Sequence, residues 1–433
     1  MVTVAGARLR PLPTELRRSA APAAATAVAV ILTLLLWIRT DEKATGWTGL
    51  ALTFRNDLTA LVPAVLAAGA WQGGRERRAR TEELLDSTPR PVRSRVLVPT
   101  AAVVLGALAG VSAPLAAAGI TDGRGRWLGQ WWPAAVVATG LLALAAAVVL
   151  GVGLGRSVRS NLVAPLAAVA VFLPLLSFYA ASYEDTWPLL LTSVMEPSTS
   201  DLERIRDGAT GGQALWLTGL LLSGAALAVA RRRRTRLLAA LPALTALAVA
   251  VPLLAAGGGA AFTVDPVAAR PVCTDGGPQV CVAMVHRDLL PAVTASARVV
   301  LVALRRLPEP PTRALEVPLS FPAVVPPPDV LPLAEVDVTA RTRGDGLTDR
   351  IAYGLAVQLC DAEPPGGYER DGIARAVAGA WLLGRARTTR VDPEADRILQ
   401  RLRRLPEAEQ VRRVAAARAA FRGCDQDALA ELP

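Results

Sequence analysis

The chain has 433 residues, of which 52% are hydrophobic and only 4% aromatic, and its mean hydropathy is +0.37. Ordinary soluble domains do not combine such a high fraction of hydrophobic residues with so few aromatic side chains. The formal net charge of +10 lies in the connections between apolar stretches. A nucleic-acid-binding protein would carry such an excess on a folded domain, so nucleic acid is excluded as a partner.

Seven stretches of the first 264 residues contain no Asp, Glu, Lys or Arg. Each is long enough to cross the hydrocarbon layer, which takes about 17–25 residues, and a central charge would cost roughly 2.5–3.5 kcal/mol. Buried helices of a soluble protein would need polar faces, which these stretches lack. We therefore predict an α-helical polytopic membrane protein with a cytoplasmic segment over residues 1–19 and a membrane domain over residues 20–256. The predicted spans are residues 20–38, 57–73, 96–120, 130–154, 161–181, 212–230 and 237–256.

Basic residues are unequally distributed between the two sides of these spans. The segments on one side carry 18 Lys and Arg residues, whereas the three short connections on the other side carry seven. The positive-inside rule places the arginine-rich side, with the N-terminus, in the cytoplasm. Because the number of predicted spans is odd, the C-terminal domain is then expected on the extracytoplasmic side. We therefore predict a multi-pass protein of the cell membrane. None of the seven charge-free stretches contains a charged residue, which argues against a proton- or sodium-coupled carrier.

A local signal in the external connection over residues 182–212 predicts a short helix. Ser200 is followed three residues later by Glu203, which is the pattern of a capping box. We therefore expect a helix over Ser200–Ile205.

After Gly257 the content of proline and charge rises, and no later segment could span a membrane. Helical spacing of apolar residues and breaker residues predict an extracytoplasmic α+β domain over residues 257–433. The expected helices are residues 288–306, 347–360, 370–385, 393–404 and 407–422. The expected strands are residues 280–285, 314–319 and 334–340, and residues 308–332 form a proline-rich extended stretch.

All four cysteines lie in this domain: Cys273, Cys281, Cys360 and Cys424. Their confinement to one domain suits an oxidising compartment. Three pairings are open. We favour Cys273–Cys281, which a turn can bring together, and Cys360–Cys424, which would link two helices. Four free thiols remain the alternative, and a zinc site is less favoured because there is no Cys-x-x-Cys pair.

The chain lacks the common catalytic motifs. His286 is the single histidine, which excludes His-Glu-x-x-His zinc chemistry, and we expect it to be an ordinary surface or packing residue. The sequence contains no phosphate-binding loop motif. Lys43, the single lysine, lies in a predicted external connection and cannot be the lysine of such a loop. We therefore predict no catalytic residue, no cofactor and no metal site, and any nucleotide hydrolysis would belong to another chain.

The connection between the second and third predicted spans carries the most informative motif. Thr81 can cap a short helix containing Glu82, Leu84 and Leu85, which Pro89 would end. This pattern predicts an amphipathic cytoplasmic helix. A solvated loop whose charges only set the topology is the alternative.

The same segment resembles permeases of the type-2 ABC exporter family. Those permeases carry an acidic–basic run after the second span, then a Thr-x-Glu-x-Leu-Leu element, a short spacer and Thr-Pro. The matching positions are Arg75, Glu76, Arg80, Thr81, Glu82, Leu84, Leu85, Thr88 and Pro89. The resemblance covers roughly the first 230 residues, but Ala79-Arg80 replaces the family's usual glycine. The appended external domain is similar to the C-terminal domains of actinobacterial permease-like membrane proteins.

This resemblance implies a coupling helix that contacts a separate ABC ATPase subunit. It also implies a permease that lies in the lipid bilayer and pairs with a second copy of itself or with a second permease. The runner-up hypothesis is a non-transporting membrane anchor or sensor whose external domain binds a ligand or an envelope partner.

Overall fold

The computed structural model divides the chain into two compact units. We call Met1–Ser198 with Arg204–Thr263 the helical unit, and Thr199–Glu203 with Val264–Pro433 the C-terminal unit. The structure describes residues 12–38, 47–81, 87, 92–121, 131–181, 190–192, 200–256, 262–317, 327–339, 343–354, 367–388, 392–423 and 427–433.

The helical unit is built from apolar helices. Most of them are hydrophobic on all sides, as expected for helices surrounded by lipid and by one another. The described helices are α1 (Leu12–Arg18), α2 (Ala21–Ile38), α3 (Trp47–Gly73), α4 (Arg75–Arg78), α5 (Val92–Thr121), α6 (Trp132–Ser157), α7 (Val163–Ala181), α8 (Asp207–Val229), α9 (Arg233–Leu238) and α10 (Leu241–Ala255).

Six helical segments in the described part of the chain are long and apolar enough to cross a membrane. They are Ala21–Ile38, Gly49–Gly73, Arg95–Gly119, Trp132–Ser157, Asp207–Val229 and Arg233–Ala255. Each overlaps a predicted span. The remaining predicted span, residues 161–181, coincides with α7, whose apolar stretch Val163–Ser177 is shorter. The count of seven therefore stays a prediction.

Helix α3 begins earlier than predicted. It starts at Trp47, whereas the predicted span begins at residue 57, so Arg55, Asn56 and Asp57 lie within the helix and are buried. The expectation that no span contains an ionisable residue is therefore wrong for α3. A search for charge-free stretches predicts too short a span for such a helix. A charged side chain is tolerated in a spanning helix when it faces neighbouring helices, whereas one that faces lipid is not.

Close contact between α3 and α6 organises the helical core. Gly69 of α3 faces the carbonyl oxygen of Val148, and Gly155 of α6 faces that of Ala70. A Cβ atom at either glycine would collide with the opposite backbone. Small residues four apart let two membrane helices approach this closely. Leu58, Leu61 and other apolar side chains fill the rest of this core.

The C-terminal unit contains a four-stranded sheet in the order β3–β4–β5–β6. β3 (Pro271–Cys273) and β4 (Val280–Ala283) are antiparallel, whereas β4 pairs in parallel with β5 (Arg313–Val317), and β5 in parallel with β6 (Val330–Ala334). Two shorter strands, β1 (Glu203–Ile205) and β2 (Phe262–Val264), form a separate two-stranded sheet, and most of their residues belong to the helical unit. The described helices are α11 (Leu290–Leu304), α12 (Glu335–Val338), α13 (Asp345–Tyr353), α14 (Gly367–Leu382), α15 (Pro393–Arg404) and α16 (Glu407–Gly423).

Most predicted elements of this unit are present, and two are wrong. Residues 334–340, expected as a strand, contain α12, and the strand lies earlier, at Val330–Ala334. Its Pro332 is tolerated because β6 is an edge strand. Ser200–Ile205, expected as a helix, contributes β1 instead, because pairing with β2 outweighs the local capping signal.

Candidate functional site

Four ionisable side chains of the C-terminal unit meet at one edge of the four-stranded sheet. His286 follows β4, Glu316 lies near the end of β5, and Glu335 comes directly after β6. The carboxyl ends of three neighbouring parallel strands therefore supply three of the four groups, and such edges commonly bind ligands. Asp201 completes the set. We call these four residues the His286 cluster.

The loop that carries Asp201 is fixed to the same unit by its backbone. The amide nitrogen of Asp265 donates to the carbonyl oxygen of Leu202 at 2.7 Å. The Ser200 hydroxyl accepts a hydrogen bond from the amide nitrogen of Leu202 at 3.1 Å. Asp201 is consequently placed by local turns and not by a regular element.

His286 lies between two carboxylates. Its Nδ1 is 2.6 Å from Glu316 Oε1, and its Nε2 is 3.4 Å from Asp201 Oδ2. Glu316 Oε2 also accepts the backbone amide of Ala283 at 2.7 Å. Glu335 Oε1 accepts the backbone amide of Asp201 in a short hydrogen bond. The exposed fractions are 7% for Asp201, 2% for His286, 6% for Glu316 and 3% for Glu335.

The electrostatics of the cluster are strongly perturbed. Burial alone would lower the pKa of His286, but hydrogen bonds to Asp201 and Glu316 outweigh burial and raise this pKa to about 10. Burial raises the pKa of Glu335 to about 8, and the nearby Asp201 charge adds to this effect. Ser200, His286 and the Asp201 amide offset only part of it. Groups perturbed in this way concentrate at functional sites.

The cluster offers ligand atoms suited to a metal ion. One atom each from Asp201, His286 and Glu335 lies within 4.8 Å of the others. The expectation that His286 is an ordinary surface or packing residue does not describe its setting. The sequence held a partial signal, since Glu316 interrupts an apolar predicted strand and His286 directly follows another. Nothing in the sequence linked Asp201 to them.

The described part of the predicted coupling segment forms a short helix with a defined end. Arg75 and Glu76 begin α4, and Arg80 has a positive φ of 54°. The Arg80 amide donates to Arg77 O, and the Thr81 amide donates to Glu76 O. This pair of bonds is a Schellman motif, whose left-handed position usually holds glycine. Arg80 thus adopts a left-handed conformation that glycine usually provides at this position.

The remaining predicted coupling residues lie outside the described residues. They are Glu82, Leu84, Leu85, Thr88 and Pro89. The predicted helix over Thr81–Ser87 is therefore untested, and its docking role stays a prediction.

Ion pairs fix α4 to the ends of other helices. Arg75 Nη1 is 2.8 Å from Glu15 Oε2 of α1, and Arg156 Nη1 of α6 is 2.9 Å from Glu76 Oε2. Arg156 Nε also donates to the carbonyl oxygen of Ala228 at 2.9 Å, at the end of α8. These side chains border a cavity of about 440 Å³. One short helix is thereby connected to α1, α6 and α8.

A second polar network lies inside the helical unit. Arg55 of α3, with no exposed surface, donates to Gln213 Oε1 at 3.0 Å and to Val136 O at 3.4 Å. Gln213 in turn donates to Leu190 O at 3.0 Å. Ionisable residues within spanning helices usually face the bundle interior and have a function.

The cysteines are divided between described and undescribed residues. Cys273 and Cys281 stand opposite each other on β3 and β4 and are joined in a disulfide with a Cα–Cα distance of 4.0 Å. Cys360 and Cys424 lie outside the described residues, so their pairing stays a prediction.

Comparison of the chain with protein-family models, curated proteins and solved structures finds no match. The resemblance to type-2 ABC permeases therefore rests on the sequence motif alone.

Proposed function

We propose that this chain is the membrane-spanning permease subunit of an ABC exporter, energised by a separate ATP-binding subunit. In this proposal the chain lies in the cell membrane with its N-terminus in the cytoplasm and its C-terminal unit outside. The basic-residue asymmetry and the six apolar helices support this placement. ATP hydrolysis belongs to the partner.

The connection of α4 to several helix ends is the observation that carries the proposal. A coupling segment must pass movement of the ATPase to the spanning helices. The pairs Glu15–Arg75 and Glu76–Arg156 link α4, which contains the first residues of the motif, to α1 and α6. A solvated loop that only set the topology would not need these pairs.

Removal of two leucines in the motif tests the proposal. We expect the double variant Leu84→Ala with Leu85→Ala to release the ATPase. In this proposal the two leucines are the apolar side chains of a short helix that binds a groove of the ATPase. Loss of an interface hot spot costs about 2 kcal/mol or more, which is roughly a 30-fold loss of binding. The assay is purification of the full chain from native membrane, with vanadate-sensitive ATP hydrolysis of the purified fraction as the readout.

An adjacent leucine pair of the same unit provides a matched control. Leu237 and Leu238 of α9 are 71% and 59% exposed, so Leu237→Ala with Leu238→Ala removes the same apolar volume outside the motif. The control should keep the ATPase, and both double variants should insert into the membrane. Full retention of ATPase by the Leu84/Leu85 variant would contradict the proposal.

A membrane sensor or anchor is the second candidate function. The His286 cluster favours it, because a buried group of charged side chains at a sheet edge suits a ligand site in the C-terminal unit. Wild-type chain that purifies without any ATP-hydrolysing subunit would favour this candidate over the permease.

A further inference from the structure

We propose that Asp201, His286 and Glu335 bind one divalent transition-metal ion, for which Zn²⁺ fits best, and that Glu316 orients His286 for this task. The site lies within the C-terminal unit and does not depend on the transport proposal.

Glu316 sets the direction of the His286 ring. Its Oε1 lies 2.6 Å from Nδ1, so this nitrogen donates its proton to the carboxylate. Nε2 faces Asp201 Oδ2 and donates to it while His286 is charged. A metal ion would replace this proton and bind the Nε2 lone pair in the same direction. Metal-binding histidines nearly always donate their second ring N–H to a carboxylate or carbonyl oxygen, which fixes the tautomer. Glu316 is further held by the Ala283 amide, so its position is set by the sheet.

The distances fit a small metal ion. Zinc bonds to nitrogen and oxygen are about 2.0–2.2 Å, which separates neighbouring tetrahedral ligands by roughly 3.4 Å. Nε2 of His286 and Oδ2 of Asp201 are 3.4 Å apart. All three ligand atoms lie within 4.8 Å of one another. Small side-chain rotations would bring Glu335 to the third corner.

The charges of the cluster favour a cation. Three carboxylates are buried around one imidazole, and an ionised carboxylate is costly to bury without compensation. Glu335 Oε2 is buried and receives no hydrogen bond from the described residues. A divalent cation bound by Asp201 and Glu335 would replace the proton that burial favours on Glu335, compensate both carboxylate charges and satisfy this oxygen atom.

The ligand types narrow the choice of metal. One imidazole nitrogen with two carboxylate oxygens suits Zn²⁺ and excludes the soft ions that need thiolates. Cys273 and Cys281 supply no thiolate, because they are joined in a disulfide. Three protein ligands leave a fourth position open, which is typical of zinc sites that bind water or a ligand.

Zinc binding by the full chain in detergent, with any affinity tag removed, tests the proposal. Titration with zinc chloride against a competing chelator should give one Zn²⁺ per chain. His286→Gln and Glu335→Gln should each weaken binding about 100-fold or more, whereas Glu316→Gln should weaken it roughly 10–100-fold. Asp329→Asn is the matched control, since Asp329 is a half-exposed partner of Arg313 outside the cluster, and it should bind as the wild type does.

X-ray absorption of the zinc-loaded wild type tests the site without relying on the folding of variants. We expect a first shell of nitrogen and oxygen atoms at about 2.0–2.2 Å and no sulfur at about 2.3 Å. Less than one tenth of a zinc ion per chain, or zinc bound through sulfur, would overturn the proposal. Wild-type affinity in both His286→Gln and Glu335→Gln would overturn it as well.

Discussion

The two units bury a positively charged side chain in different surroundings. In the helical unit, Arg55 donates to oxygen atoms of Gln213 and Val136, both on neighbouring helices. In the C-terminal unit, His286 lies between the carboxylates of Asp201 and Glu316, with Glu335 adjacent. Like charges collected at a sheet edge are typical of a binding site.

The two units also differ in how their cores are packed. α3 and α6 approach through glycines, so backbone contact determines the packing. The C-terminal unit fills its core with side chains from the sheet and from α11, α14 and α15, such as Val280, Leu301 and Leu399. We therefore expect added atoms to damage the helical unit and lost charges to damage the C-terminal unit.

The largest effect is expected for His286→Ala. This change leaves Asp201 and Glu316 buried without their partner, and such a loss costs about 3–5 kcal/mol. Hydrogen exchange of peptides covering β4 and β5 in the full chain should report this loss of stability. Arg287→Ala, at the exposed neighbouring position, is the control and should leave exchange unchanged. Wild-type protection in His286→Ala would show that the cluster does not stabilise this unit.

A smaller effect is expected for Gly155→Ala in α6. The new Cβ would collide with the backbone of Ala70, and overpacking of this kind costs about 1–3 kcal/mol. The melting temperature of the full chain in detergent should fall. Gly211→Ala in α8 is the matched control, because nothing lies within 4 Å of its Cβ position, and the gain in helix propensity of up to about 1 kcal/mol should raise or preserve stability. Equal shifts in both variants would argue against the close approach of α3 and α6.

The smallest effect is expected for the Glu76–Arg156 pair. Both side chains are about one fifth exposed, at 23% and 22%, and partly exposed pairs contribute roughly 0.2–1 kcal/mol. A double-mutant cycle with Glu76→Gln and Arg156→Gln should give a coupling energy below about 1 kcal/mol in thermal unfolding. A coupling energy above about 3 kcal/mol would be as large as the loss expected for His286→Ala. That result would contradict the expected difference between this ion pair and the His286 cluster.

The spanning helices and several soluble helices could be predicted because their signals are local. α15 begins and ends where predicted, at Pro393 and Arg404. Asp392 caps it by accepting the amides of Glu394 and Ala395, and Pro393 occupies the first turn. The stretches without charged residues likewise predicted the positions of the six helical segments that are long and apolar enough to cross a membrane.

The features that could not be predicted depend on contacts between distant residues. Arg55 was excluded from α3 because only the bundle shows that its side chain faces Gln213, 158 residues later in the chain. β1 forms against β2, so the capping pattern of Ser200 was misleading. The His286 cluster depends on parallel pairing of β4, β5 and β6, which brings their carboxyl ends together.

Site-directed labelling from the two sides of the membrane tests the account most directly, because the permease proposal requires the coupling segment in the cytoplasm and the C-terminal unit outside. Ala79→Cys and Gln400→Cys place thiols at exposed positions of α4's end and of α15. Intact cells are treated with a membrane-impermeant maleimide, and the wild type measures the background from its four native cysteines. We predict labelling of Gln400→Cys in intact cells and of Ala79→Cys only after permeabilisation. The reverse pattern, or labelling of both from the same side, would contradict the account.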